Sequence, residues 1–387
     1  MSSPFCCTDS MTGVRDVQRV LVTVLIAMLL FFNSMPVMAA KEIPPPAFQS
    51  TWSMEKVAQE NKIEAAALLK QLALPDTPAN RAATVQSLNI SDEQVQQAVR
   101  KLLVIGTEEK SKNWKLILLK FTLWWTVIGA AILLLKRNLV TPRRRTWMLA
   151  GAFSLFGILL GSDPSPMGTV KDAIALYGAE RTIFPPRMVA FVVFTLMVVA
   201  GNKLICGWGC QFGTLQDWLF QVSPVSKKIR LPFAVTNSIR IVVFVMFSFA
   251  ALTIPYDFIG PIDPFKVFEP SHLTMVSTGF IVCLLLLSLF FYRPWCTLAC
   301  PFGLTGWLAE RVSLFRVRWN QTACIQCRTC RRVCPTEHAS HLLEGARIKT
   351  DCYSCAACLT VCPTGALQYS RSVLAESAGS KAGVHNG

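Results

Sequence analysis

The chain has 387 residues, of which 52% are apolar and only 16% charged, with a mean hydropathy of +0.42. That balance excludes an ordinary soluble protein and points to a membrane protein with soluble parts. The net charge of +15 comes without a nucleic-acid-binding motif, so no nucleic acid is expected as a partner. Fifteen cysteines do not form a disulfide scaffold: none lies between Cys7 and Cys206, and ten crowd between Cys296 and Cys362, at gaps that suit metal ligation.

Residues 1–40 read as a signal peptide or N-terminal anchor. Arg15 and Arg19 precede the apolar run VLVTVLIAMLLFFNSMPVMAA, which ends in the small Ala39 and Ala40. Cys6 and Cys7 lie ahead of that run, do not fit a lipoprotein site and carry no assigned role. Residues 41–112 read as an external helical segment. EIPPPAF is extended, WSMEKVAQENKIEAAALLKQLAL is rich in helix formers and stops at Pro75, and Ser91 followed by Gln94 makes a capping box. No cysteine or histidine falls there, so the segment is expected to dock and not to catalyse.

Residues 113–319 read as a membrane domain with about five spans and two C-x3-C motifs. The apolar cores lie at 114–135, 147–161, 188–205, 241–254 and 273–292. A span needs roughly 20 apolar residues and no fewer than about 17. The second and fourth cores are shorter and must borrow flanking residues, with Arg240 snorkelling to the interface. Cys283, in the last core, reads as a packed small residue. Lys136, Arg137, Arg143, Arg144 and Arg145 follow the first core; Lys227, Lys228 and Arg230 follow the third; Asp257, Asp263 and Glu269 follow the fourth. Basic loops mark the cytoplasmic side. This places residues 41–112 in the periplasm and everything after Tyr292 in the cytoplasm.

The C-terminal cysteines form two runs, CIQCRTCRRVCP and CYSCAACLTVCP, each C-x2-C-x2-C-x3-C-P. A tight loop wraps three corners of an iron–sulfur cubane, and the fourth ligand comes from elsewhere. In two-cluster ferredoxins the fourth cysteine of each run serves the other cluster. Cys324, Cys327, Cys330 and Cys362 are thus the expected ligands of one [4Fe–4S] cluster, and Cys352, Cys355, Cys358 and Cys334 of the second. Zinc sites use two separated C-x2-C pairs instead. Residues 320–370 resemble bacterial two-cluster ferredoxins. With all eight cysteines present, His338 and His341 between the runs are expected on a solvated surface.

CGWGCQFGTLQDWL beside CTLACPFGLTGWL reveals an internal repeat, pairing Cys206 with Cys296, Cys210 with Cys300, Phe212 with Phe302 and Gly213 with Gly303. Two helices ending this way can gather four thiols at one membrane surface. The stretches GTLQDWLFQV and GLTGWLAERVSLF look amphipathic and are expected along that surface. Two such motifs before a two-cluster ferredoxin, over residues 114–370, resemble the NapH/NosR-type polytopic membrane ferredoxins.

The resemblance implies a multi-pass inner-membrane protein that relays electrons between a quinone pool or cytoplasmic donor and a periplasmic redox system. It carries the paired motif onto Cys206, Cys210, Cys296, Cys300 and Pro301; Gln211 stands where the first motif would have its proline. Three roles stay open for the quartet: a third metal or iron–sulfur site, a redox-active thiol site, or structural thiols. No covalent flavin is expected, because residues 41–112 lack the flavin-attachment sequence of the nitrous-oxide donors. No haem is expected either, because His272, His338, His341 and His385 all lie outside the apolar cores.

Arg316, Arg318, Arg328, Arg331, Arg332 and Arg347 surround the ferredoxin runs. They serve cluster charge, acidic redox partners or anionic lipid. Residues 371–387 read as a disordered tail. The expected whole is an α-helical polytopic membrane protein with a C-terminal two-cluster ferredoxin-like α+β domain. It would act as an electron carrier or as a subunit of an oxidoreductase complex; the alternative is a redox maturation factor for a respiratory enzyme. No nucleophile–base pair and no nucleotide-binding glycine loop is visible.

Overall fold

The structure is a computed structural model that describes residues 45–225, 228–346, 348 and 350–371. The signal-like run, Lys227, Arg347 and the tail beyond Arg371 lie outside the described residues.

The described chain is mostly helical. Helices α1 (Met54–Glu60), α2 (Ala65–Gln71), α3 (Pro78–Ala82) and α4 (Asp92–Lys110) share a core of Met54, Val57, Leu68, Leu69, Val95 and Val99. Their starts follow local rules. Ser53 accepts from Lys56 N, and Ser91 and Gln94 close the capping box on α4, each satisfying amides the helix leaves orphaned.

Helix α5 (Trp114–Lys136) is followed by α6 (Pro142–Phe153), which widens into a π-helical turn at Ser154–Leu159. Helix α7 (Pro166–Glu180) begins where Ser165 Oγ accepts from Gly168 N, with Pro166 in the first turn. A proline is tolerated there because its missing N–H would be unpaired anyway. Arg100 of α4 pairs with Glu180, and Glu108 with Arg187, tying α4 to α7 and to α8 (Pro185–Gly201). Next come a π-helical turn at Ile205–Gly209, α9 (Gln211–Val222), α10 (Phe233–Thr253), α11 (Met275–Leu287), α12 (Pro294–Leu298) and α13 (Pro301–Ala309).

Among the described residues, α5 and α10 are long and apolar enough to cross a membrane, with mean hydropathies of 2.0 and 1.8; α8 and α11 are apolar but shorter. Helix α10 does lengthen the fourth core at its N-terminal end, but Arg240 does not snorkel. It is fully buried, and its Nη1 lies 2.9 Å from Asp351 Oδ2 while Nη2 donates to Asn237 Oδ1 at 2.6 Å. A buried carboxylate partner outcompetes the interface for this guanidinium.

GTLQDWLFQV and GLTGWLAERVSLF each bury one face in the bundle, while Val222, Leu308 and Val312 stay exposed. In α9, Phe212, Thr214, Gln216 and Asp217 are buried; in α13, Phe302, Leu304 and Trp307 are buried. The polar side chains of α9 look amphipathic in sequence, yet they meet polar partners inside the bundle.

Strands β1 (Phe315–Trp319) and β2 (Leu367–Arg371) pair antiparallel, with Val317 opposite Tyr369. The short helices α14 (Thr329–Val333), α15 (His338–Leu343) and α16 (Ala357–Thr360) lie between them. This α+β unit rests on the C-terminal ends of α5 and α8. Leu314 N donates to Val199 O at 2.7 Å, Tyr369 Oη donates to Gly201 O at 2.9 Å, and Lys136 lies 5.5 Å over the Phe315 ring.

Candidate functional site

The two cysteine runs fold alike. Gln326 and Arg328 in the first, and Ser354 and Ala356 in the second, all take left-handed backbone angles. Alternating left- and right-handed residues turn successive amides toward one side and form a concavity that receives anionic groups, iron–sulfur clusters included. The result is two cavities. One is lined by Cys334, Cys352, Cys355 and Cys358; the other by Cys324, Cys327, Cys330 and Cys362. Each takes three thiols from one run and the fourth from the other. Among the described residues no group of three or more His, Cys, Asp or Glu closes to single-ion spacing, so the thiols surround a space instead of meeting at a point.

The amides fit thiolate ligands. Thr329 N faces Cys327, Arg331 N faces Cys330, Ser354 N faces Cys352 and Ala357 N faces Cys355. Ala339 N lies 3.5 Å from Cys334 Sγ. Such donors stabilise charge on sulfur and tune a bound cluster. The residues present therefore fit a [4Fe–4S] group in each cavity. When bound, such a group supplies one-electron transfer.

The cavity of Cys334, Cys352, Cys355 and Cys358 adjoins the other, with Cys358 in electrostatic reach of Cys330. It also adjoins the C-x3-C quartet. Cys206, Cys210, Cys296 and Cys300 are all buried, and Cys300 is within electrostatic reach of the other three. The two motifs share one geometry. Cys206 sits in the π-helical turn and Cys296 in α12, while Cys210 and Cys300 are the N-cap residues of α9 and α13, with φ/ψ of −70/117° and −65/118°. Gln211 thus leaves the turn as Pro301 makes it, and its Nε2 donates to Ser162 O at 2.7 Å.

The quartet gathers at helix ends, with Cys210 and Cys300 opening α9 and α13, and these ends pack against the side of α5. Trp124, near the middle of α5, donates from Nε1 to Gly209 O at 2.9 Å. A Cβ on Gly207 would overlap the Tyr353 carbonyl oxygen, and one on Gly303 would come within 2.6 Å of Cys296 O. These glycines are there because backbones approach closely.

The repeat extends to residues that the motif comparison did not include. Three positions before each first cysteine stands a basic residue, Lys203 or Arg293, and both have left-handed backbones at φ 60° and 51°. Each reaches across to the opposite motif. Arg293 donates to Cys206 O and Gly207 O; Lys203 donates to Gly303 O at 3.0 Å. Each is held by a buried carboxylate. Asp217 receives Arg293 and Arg145, both at 2.6 Å; Asp351 receives Lys203 and Arg240. Burial pushes the Asp217 carboxyl up, but Arg293 and Arg145 overcome it and hold it at about 2. Burial also pushes the Cys206 thiol up and the Cys296 thiol up to about 12, against the pull of nearby cations. A buried thiol of this kind is inert as a nucleophile unless a metal takes its proton.

The second run is fastened to the quartet by its backbone. Asn202 donates to Cys352 O at 3.2 Å, Trp208 Nε1 donates to Ser354 O at 3.1 Å, and Ser354 Oγ donates to Asn202 O at 3.1 Å. The Tyr353 ring lies 4.7 Å from the Arg293 guanidinium.

Three further expectations change. Cys283 is exposed and not packed, because its face of α11 has no neighbour. His338 is half-buried, its Nδ1 2.8 Å from Thr350 O. His341 is half-buried too, with its Nδ1 on the inner side, so both histidines are only partly solvated. Arg331 pairs with Glu344, and Arg145 is a buried ion-pair member instead of a loop charge.

Comparison with known proteins puts these motifs in a family context. The model of a 4Fe-4S binding domain matches twice, at residues 183–232 and 273–320, the two halves of the C-x3-C repeat. YccM of Escherichia coli (strain K12), named as an electron transport protein, is 28% identical over 163 residues, covering 38% of this chain and 45% of that protein. The regulatory protein NosR of Pseudomonas aeruginosa is 25% identical over 226 residues, covering 52% of this chain and 30% of NosR. The chain thus spans less than half the length of these two relatives. No solved structure matches it. The chain carries a repeated 4Fe-4S binding domain and is similar to YccM and NosR, in keeping with its resemblance to NapH/NosR-type ferredoxins.

Proposed function

We propose that this chain is a multi-pass inner-membrane iron–sulfur protein that relays single electrons between a quinone pool or cytoplasmic donor and a membrane or periplasmic redox partner. On this reading α5, α6 with its π turn, α8, α10 and α11 are the spans, α1–α4 face the periplasm, and the α+β unit faces the cytoplasm. The observation that carries the proposal is contiguity. The cavity of Cys324, Cys327, Cys330 and Cys362 adjoins that of Cys334, Cys352, Cys355 and Cys358, and Tyr353 of the second run sits on Gly207 of the quartet.

The quartet is a third metal centre on this proposal, most simply a third cluster. The family match over both motif halves supports that, as do the cations that converge on it. Lys203 and Arg293 set positive charge beside four thiolates, offsetting the charge of an anionic centre in a low dielectric. Thiol exchange with a client, as a maturation factor requires, is disfavoured because all four sulfurs are buried. The α1–α4 segment holds no cysteine or histidine, so delivery to an external acceptor runs through quinone or a partner subunit.

The test is iron and acid-labile sulfide per chain on anaerobically purified protein, with EPR of the reduced state, beside the Cys206→Ala/Cys296→Ala variant. About twelve irons in wild type and about eight in the variant are expected. About eight in both would leave the carrier reading standing and remove the third centre. Zinc without sulfide would overturn the electron-transfer reading.

A further inference from the structure

Beside the second cysteine cavity lies a cleft of about 200 Å³ whose lining includes Arg311, Arg316, Arg318, Trp319, His338 and Glu310. Arg311, Arg316, Arg318 and Glu310 line neither cysteine cavity, while His338 and Trp319 stand on the walls shared with them. Three guanidiniums around one concave space are a receptor for phosphate oxygens. Two buried polar atoms of its lining have no partner: Trp319 Nε1, a donor, and Glu310 Oε1, an acceptor. An orphaned buried donor and acceptor each cost stability. A ligand that offers both an anionic oxygen and a hydroxyl would satisfy the pair.

The surroundings say where that ligand comes from. Strand β1 is pinned to the ends of two apolar helices, by Leu314 N on Val199 O and by Lys136 over Phe315. Leu308, Val312 and Leu314, beside Arg311 and β1, are 51%, 68% and 39% exposed. Apolar side chains exposed next to a basic cleft at the ends of apolar helices suit acyl chains beneath a head group, and tryptophan favours that depth.

We infer that this cleft binds the phosphoglycerol head group of an anionic phospholipid. The phosphodiester lies among Arg311, Arg316 and Arg318 and accepts from Trp319 Nε1; a glycerol hydroxyl donates to Glu310 Oε1; the acyl chains run over Leu308 and Val312. The inference rests on the membrane reading, and extraction of the protein by carbonate without detergent would break that reading separately.

The test uses the full chain in phosphatidylcholine nanodiscs containing a minor fraction of phosphatidylglycerol, with retained lipid counted by native mass spectrometry. Wild type is expected to keep phosphatidylglycerol selectively. Arg311→Gln/Arg316→Gln should lower that retention by at least about tenfold. Arg143→Gln/Arg332→Gln, which removes equal charge outside the cleft, should not. Trp319→Phe, which changes no charge, should lower retention even if the double variant fails to fold. Equal loss in both double variants would mean diffuse attraction and overturn the site. Equal retention of phosphatidic acid, which lacks the glycerol hydroxyls, would overturn the head-group assignment. Displacement by millimolar inorganic phosphate would make it a free-phosphate site, and displacement by an acidic soluble redox protein would make it a protein dock; either overturns the inference.

Discussion

Around Cys206 and around Cys296 the chain builds one arrangement twice. A left-handed basic residue precedes the first cysteine, the second cysteine caps a helix, and a glycine lets backbones touch. The halves differ in where their counter-charge comes from. Asp217, which holds Arg293, is part of α9 in the same bundle. Asp351, which holds Lys203 and Arg240, comes from the α+β unit, directly before Cys352. Symmetry is kept at the thiols and broken where the ferredoxin-like unit docks. One half is electrostatically complete on its own; the other is completed by its neighbour.

The largest expected effect separates these two cases. Asp351→Ala leaves Lys203 and Arg240 buried without an anion, which costs about 3–5 kcal/mol. Limited proteolysis should then release the α+β unit from the bundle. Asp217→Ala carries a similar cost but should leave the unit docked, its lesion centred on α9, Arg145 of α6 and Arg293 before α12. If both variants release the unit alike, the asymmetry is not real.

A second contrast uses glycines. Gly207→Ala drives a Cβ into the Tyr353 carbonyl, for an expected loss of about 1–3 kcal/mol and an altered EPR signal from the second cavity. Gly106→Ala, in α4, has open space around it and should stabilise by up to about 1 kcal/mol. Thermal unfolding of the pair reads the difference.

Acid tests the half that is complete in itself. The Asp217 pKa is about 2 in the fold against an ordinary value of 3.8. Its stabilisation is therefore full above pH 3.8 and is lost as pH falls toward 2, roughly 2 kcal/mol in all. Asp217→Asn should remove that acid-limb dependence. The smallest effect concerns the one visible mismatch in the repeat. Pro301→Gln should change stability by less than about 1 kcal/mol, and Gln211→Pro by about 1 kcal/mol for the lost bond to Ser162 O, because both positions open a helix after the same N-cap geometry.

The grouping of the eight C-terminal thiols was legible in sequence because their spacing is itself a backbone instruction. Two-residue gaps with left-handed residues at fixed offsets curl each run, and the partition of eight thiols between two cavities follows. The Ser91 capping box was legible for the same local reason. The rest depends on what meets in space. Lys203 and Arg293 were visible as basic residues at equal offsets, but their value lies in Asp351 and Asp217, 148 and 76 residues away. Arg240 looked like an interface residue because hydropathy treats a charge near a helix end as a boundary. The polar face of α9 read as solvated because periodicity cannot tell water from a buried guanidinium. Helix α7 escaped hydropathy, although Ser165 before Pro166 is a legible start signal.

The tie between Asp351 and the two cations also orders events in time. During synthesis Lys203 and Arg240 enter the bundle more than a hundred residues before their carboxylate is made. The bundle therefore stays electrostatically unfinished until the last cysteine run has emerged and folded onto it. A chain that stops short of Asp351 lacks the counter-ion that closes the bundle, so completion of the bundle waits on the segment that carries the last cysteine run.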